Sequence, residues 1–125
     1  IFDLKNKINI AVAKNVGRSV HKIPNSNLVS FISKETTDNW LVKSLNPKTK
    51  EIKTIIPIGK SEDITWLPNG TLLIANGKEI LKFNPKKDSL PKMFFSFIDE
   101  NSMNISRIAV NSDGTKIALV AEESP

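Results

Sequence analysis

The sequence predicts an all-β protein built from repeated four-stranded antiparallel sheets. Short runs rich in β-branched and aromatic residues alternate with turn residues, and no stretch of ten or more residues has a convincing helical period. The turn tetrapeptides at 24–27, 68–71 and 112–115 follow one another at a spacing of 44 residues. A period of this length is typical of a repeat architecture.

Each of these tetrapeptides has the chemistry of a tight turn. Pro fixes an early φ, Gly and Asn accept positive φ, and Asn and Asp side chains bond to the nearby backbone. Each tetrapeptide lies between two extended apolar runs, which predicts a hairpin. A second, Lys-rich turn recurs in "FDLKNKI" at 2–8, "LNPKTKEI" at 45–52 and "FNPKKDSL" at 83–90. The two kinds of hairpin together define a unit of four short strands.

The predicted strands follow from these turns. In the middle unit they are 63–67, 72–75, 79–83 and 92–97, and in the preceding unit about 19–23, 28–32, 40–45 and 51–56. The final unit supplies only its first two strands, at 105–111 and 116–121. The chain opens with only the last two strands of a unit, at 1–4 and 8–13. Several strands have apolar residues on both sides, as a sheet buried on two faces requires.

Four antiparallel strands that repeat every 40–45 residues are the signature of a β-propeller. The predicted organisation is one propeller segment over 1–125: an outer half-blade at 1–15, blades at 16–57 and 58–97, and an inner half-blade at 98–125. About three blades do not readily close a ring, since propellers typically have four to eight. We therefore expect a piece of a longer propeller, an assembly of copies that complete each other's half-blades, or an open array.

The most regular copy of the repeat is "ISRIAVNSDGTKIALVA" at 105–121, and "ITWLPNGTLLIA" at 64–75 and "HKIPNSNLVSFIS" at 21–33 are looser copies. These segments resemble the blade core of the TolB-like, WD-repeat-like propeller family, in which a strand enters a Ser-Pro-Asp-Gly-Lys type turn and an Ile-Ala-Phe type strand follows. Trp66 stands at the usual aromatic position, so we expect it to be buried between sheets, and Trp40 to lie near a loop. The resemblance implies a bacterial, periplasmic or secreted setting but no particular activity, because propellers host many functions.

Composition narrows the function classes. The net charge of +5 comes from scattered lysines and not from a dense basic run with interleaved aromatics, so we expect no nucleic-acid partner. The absence of cysteine excludes disulfides, thiolate metal sites and cysteine nucleophiles. The longest apolar run, at 117–121, is far shorter than the roughly 18 residues of a spanning helix, so we expect no membrane span.

Candidate binding residues come from their position in a propeller. Loops that join the fourth strand to the first, and the second to the third, gather on one face around the channel, where ligands and partners engage. Ser19, Asp63 and Arg107 are equivalent positions that differ chemically, which fits a channel mouth adapted for binding and also fits drift. The ligand-binding candidates are Arg18, Glu62, Asp63, Asp99, Glu100 and Arg107. Their alternative role is that of solvated loop charges.

No motif commits the chain to a reaction. His21 is the only histidine, and the sequence has no Gly-x-Ser-x-Gly elbow. The Asp113-Gly114 pair is a turn signal, because the regularly spaced oxygen ligands of a calcium loop do not follow it. We therefore expect no metal and no cofactor, and the catalytic residues, if there are any, are unknown.

The expected function is that of a non-enzymatic binding or scaffolding propeller of TolB-like type, with a protein or small-molecule ligand at the channel face. Self-association, or pairing with the rest of a longer propeller, is also expected. The alternative is a propeller enzyme of the gluconolactonase or lyase type with a metal in its channel. Glu62, Asp63, Asp99 and Glu100 are the carboxylates that would contribute to such a site.

Overall fold

The computed structural model of the chain describes residues 1–97 and 103–123. Within these residues it contains strands and turns but no helix, and so no helix that is long and apolar enough to cross a membrane. The strands of the described residues are β1 (Phe2–Asp3), β2 (Ile8–Asn9), β3 (Val16–Lys22), β4 (Val29–Ser33), β5 (Trp40–Leu45), β6 (Ile52–Gly59), β7 (Ile64–Trp66), β8 (Leu72–Asn76), β9 (Glu79–Phe83), β10 (Lys92–Ser96), β11 (Met103–Val110) and β12 (Ile117–Glu123). The predicted all-β class is confirmed.

The strands form four antiparallel sheets in the described residues. Two have four strands in sequential order, β3-β4-β5-β6 and β7-β8-β9-β10, and two are the hairpins β1-β2 and β11-β12. The predicted first strand pair is shorter than expected, because its ladder ends where Ile10 N donates to Ile1 O at 2.8 Å. Residues 11–13 are not part of a strand. The division at 1–15, 16–57, 58–97 and 98–125 into blades and half-blades stays a prediction.

The hairpins β3–β4, β7–β8 and β11–β12 are equivalent, but they differ in loop length. The last cross-strand pairs before the loops are Lys22↔Val29, Trp66↔Leu72 and Val110↔Ile117. The loop of the middle hairpin is therefore one residue shorter than the other two. The 44-residue spacing holds for the last residues of the first strands, at 22, 66 and 110, and for the turns that follow, while β8 is shifted by one residue.

The second and third of these tight turns have the same kind of backbone hydrogen bond. Gly70 N donates to Leu67 O at 2.9 Å, and Gly114 N donates to Asn111 O at 3.0 Å. Both glycines have positive φ, 87° and 74°. In the first turn the positive φ falls one position earlier, at Asn25 with φ 56°. Asn tolerates the left-handed region better than most residues, which explains how this turn forms without glycine.

The Lys-rich turns also form one structural class. In each, a backbone N–H bonds the carbonyl four residues earlier, and the side chain of that earlier residue accepts a second backbone N–H, an Asx turn. The backbone bonds are Lys7 N to Asp3 O at 2.7 Å, Lys50 N to Asn46 O at 2.7 Å and Asp88 N to Asn84 O at 2.8 Å. The Oδ1 atoms of Asp3, Asn46 and Asn84 accept from Lys5, Lys48 and Lys86, at 2.9, 3.0 and 3.0 Å. The hairpin β1–β2 is thus equivalent to β5–β6 and β9–β10.

The chain divides into two compact units. Unit 1 comprises Ile1–Lys22 and Asn27–Lys60, and unit 2 comprises the described residues of Ile23–Ser26 and Ser61–Pro125. Unit 1 has a core centred on β4, β5 and β6. The buried apolar residues of this core are Phe31, Ile32, Val42, Leu45 and Ile56.

In unit 2, two sheets pack face to face. Leu73 and Ala75 of β8 and Ile80 of β9 form one cluster with Ile105 and Ile108 of β11. The neighbouring β8 residues on the opposite face are also buried, because Leu72 is 0% and Ile74 1% exposed. This explains the uninterrupted apolar run of β8, since a strand covered on both faces needs apolar residues at every position.

The two tryptophans differ in burial. Trp66 on β7 is 7% exposed, which confirms the predicted burial of its side chain. Trp40 at the start of β5 is half-buried, and Lys34 Nζ lies 4.4 Å from its ring centroid in cation–π geometry.

Candidate functional site

The antiparallel order of unit 2 brings three segments to one end of its sheets. These are Ser61–Asp63 before β7, the β8–β9 turn, and the start of β11. Phe97 N donates to Lys78 O at 3.1 Å, and Ile105 N donates to Gly77 O at 2.9 Å. We call this group of segments the Asp63 end. The tight turns and the turn after β9 lie at the opposite end of the strands.

Two of the predicted site residues pair at the Asp63 end. Arg107 Nη1 lies 3.7 Å from Asp63 Oδ1 and donates a hydrogen bond to Ser106 O at 2.5 Å. The Asp63 side chain is 15% exposed and the Arg107 side chain 55%. The two residues stand 44 positions apart, at equivalent positions of successive repeats, and they pair because one is acidic and the other basic.

Backbone and hydroxyl hydrogen bonds hold the Asp63 loop against β8. The Ser61 hydroxyl donates to the Ala75 carbonyl, and Asp63 N donates to Ser61 Oγ at 3.3 Å. Ala75 N in turn donates to Asp63 O at 2.9 Å. These bonds fix the backbone that carries the Asp63 carboxylate. Neighbouring Glu62 is half-buried, and its Oε1 atom is shielded from solvent.

The remaining predicted residues are distributed differently. Arg18 lies on β3 in unit 1, where it is exposed. Asp99 and Glu100 lie outside the described residues. The structure thus brings Asp63 and Arg107 into contact within unit 2, with Glu62 next to Asp63 in the chain. Across residues 1–97 and 103–123, no group of three or more His, Asp and Glu side chains is arranged to hold a metal ion.

Sequence reasoning missed two features. The first is Ser61, whose position two residues before Asp63 is a signal for a hydroxyl-to-backbone turn. The second is an apolar groove in unit 1, a cavity of about 390 Å³ between the N-terminal segment and the face of β3 and β4. No local pattern predicts this groove, because the sequence of 10–13 predicts part of a strand.

The Asp63 end has the chemistry of a recognition surface. A guanidinium group offers planar, charged donors that match carboxylate and phosphate groups. The neighbouring Asp63 carboxylate, carried by a fixed loop, pairs with the guanidinium at 3.7 Å and adds an acceptor. No family model, curated protein or solved structure matches the chain.

Proposed function

We propose that the chain is part of a TolB-like β-propeller that acts by binding or scaffolding and not by catalysis. Three features support the propeller interpretation. The four-stranded sheets follow a sequential order, the tight turns and Asx turns recur, and β7–β10 packs face to face on β11–β12 through Ile105 and Ile108. Radially repeated four-stranded sheets that pack through their faces are the construction principle of propellers.

The binding surface of this proposal is the Asp63 end. The observation that carries it is the Asp63–Arg107 ion pair, with a fixed carboxylate and a guanidinium side chain that is 55% exposed. Asp63 precedes β7 and Arg107 lies within β11, the first strands of successive repeats. A protein or small-molecule partner with an anionic group opposite Arg107 suits this chemistry.

A charge-reversal experiment tests the proposal. The chain is immobilised, and bound proteins and small molecules from an extract are identified by mass spectrometry and measured by calorimetry as purified partners. Arg107→Glu should lower the affinity for the specific partner by at least about tenfold, or about 1.4 kcal/mol of binding free energy. The matched control is Lys86→Glu, which reverses an exposed lysine in the Asx turn at the opposite end of the same unit.

Two outcomes would count against the proposal. One is a partner whose affinity responds to Lys86→Glu and not to Arg107→Glu. The other is catalysis: turnover of a sugar lactone by the wild-type chain after titration with Ca²⁺ would favour the enzyme alternative.

A further inference from the structure

The apolar groove of unit 1 leaves Val16 and Val20 of β3 exposed. Eleven of its twelve lining residues are apolar, and they include Ile1, Ile10, Val16, Val20, Val29 and Phe31. Val20 is 65% exposed and Val16 46%, large values for β-branched residues on a sheet face. A contiguous apolar surface of this kind marks an interaction site.

The repeat shows what covers this kind of surface. By spacing and register, Val20 and Val29 correspond to Ile108 and Ile117, and Phe31 corresponds to Leu119. In unit 2, the corresponding residues pack on the second and third strands of the preceding sheet. The residues that they contact are Leu73, Ala75 and Ile80. The groove therefore suits the second strand of a sheet, with apolar residues at alternate positions of that strand.

The chain carries such a strand in β12. Ala118 and Val120 are its second and fourth residues, as Leu73 and Ala75 are in β8. Both are exposed, Val120 at 53%. Among the described residues, β12 pairs with β11 and leaves its other edge open. This β12 surface matches the apolar character of the groove.

The edge of β1 complements the edge of β12. Its Asx turn makes β1 the equivalent of the third strands β5 and β9, and in both full sheets the third strand pairs with the second. The pairs next to the Asx turns are Val29↔Leu45 and Leu72↔Phe83. The same rule pairs Ile117 with Phe2. In the described residues β1 pairs with β2, so its other edge is open as well.

We propose that the β11–β12 hairpin of one copy of the chain docks in the apolar groove of a second copy. Val120 packs against the Val20 face, and β12 continues the sheet by pairing with β1 of that second copy. The contact is heterologous: each chain contributes a hairpin to one neighbour and a groove to another. It buries two apolar surfaces and satisfies two open sheet edges at once.

Light scattering across a dilution series tests this contact. The wild-type chain should show masses above the 13.9 kDa of one chain, rising with concentration. Val20→Asp and Val120→Asp should each give the mass of one chain, because each buries a carboxylate in the contact. Mixing these two variants should restore a complex of two chains, since the first keeps an intact hairpin and the second an intact groove.

The controls separate this contact from misfolding and from the Asp63 end. Leu90→Asp changes another exposed apolar residue, 71% accessible, and should associate like the wild type. Arg107→Glu should also associate like the wild type. The chain-to-chain contact and the proposed ligand site can therefore be disproved separately. Thermal melts of each variant check folding, and variants at exposed positions should retain the melting transition of the monomer.

A disulfide experiment tests the register. The chain has no cysteine, so Phe2→Cys with Ile117→Cys introduces a single pair at predicted cross-strand positions. We expect oxidation to link two chains, while the out-of-register pair Leu4→Cys with Ile117→Cys should link far less. The proposal is overturned if the wild-type chain has the mass of one chain at every concentration. That result is expected if a small apolar ligand, or a further segment of the same chain, fills the groove. A mixture of the two variants that stays monomeric would overturn the proposal as well.

Discussion

Gly114 lies so close to the ring of Pro68 that a Cβ atom at this position would stand 2.7 Å from Pro68 Cδ. The Pro68 carbonyl also accepts a hydrogen bond from Asn25 Nδ2 at 3.2 Å. Pro68 therefore contacts the tight turns of the preceding and the following repeat, so the three turns lie together. The turns thus contact one another as well as reversing the direction of the chain.

We expect Gly114→Ala to destabilise unit 2 by about 2–4 kcal/mol, since positive φ and a steric clash with Pro68 add together. The matched variant is Gly70→Ala, which has φ 87° but no heavy atom within 4 Å of the added Cβ. It should cost about 1–2 kcal/mol, the backbone strain without the clash. Denaturant melts measure both, and equal losses would show that the Pro68 contact yields freely.

Trp66→Ala should destabilise the protein by about 3–5 kcal/mol, the usual cost of removing a large buried side chain. The reason is that Trp66 is 7% exposed, within an all-buried strand. Trp40→Ala should cost distinctly less, because its half-buried ring keeps contact with solvent. The comparison is made by urea denaturation, and a loss below about 1 kcal/mol for Trp66→Ala would contradict its structural role.

The Asx turn at Asn46 should contribute about 1 kcal/mol to stability, the usual net value of such hydrogen bonds. Asn46 Oδ1 accepts from Lys48 N at 3.0 Å and Thr49 N at 3.2 Å, and Asn46→Ala removes both bonds. Lys48→Ala is the control, because it keeps the backbone N–H that donates. If the two variants melt alike, the side chain of Asn46 does not stabilise the turn.

His21 should make stability depend on pH below its ordinary pKa of 6.5. Burial lowers the pKa of His21 below its ordinary 6.5, so the unfolded chain binds the proton more tightly than the folded chain. The free energy of unfolding should therefore fall as the pH drops below about 6.5, and level off below the folded pKa.

His21→Gln is the test, since His21 is the only histidine of the chain. Melts at several pH values should show a flatter profile for the variant. The pKa values of Asp3, Asp88 and Asp113 are lowered below 3.8 by hydrogen bonds to their carboxylates, so their contributions are lost only at more acidic pH. Identical slopes for wild type and variant would show that the burial of His21 does not shift its titration.

Local features of this chain can be predicted from its sequence. The tight turns, the Asx turns and the apolar runs between them depend on a few adjacent residues, because φ preferences and side-chain-to-backbone bonds act over short distances. The burial of Trp66 follows from its place in an apolar first strand. The all-β class and the order of strands in the sheets follow from the same signals.

Other features depend on packing between segments far apart in the chain. The shift of β8 by one residue arises where a shorter loop departs from the repeat. For the candidate site, position alone selected Asp63 and Arg107, but their ion pair exists because β11 packs against the sheet that carries Asp63. The apolar groove has the same origin. A side chain on one strand is exposed or buried according to the sheet that lies against it, and no local pattern encodes that neighbour.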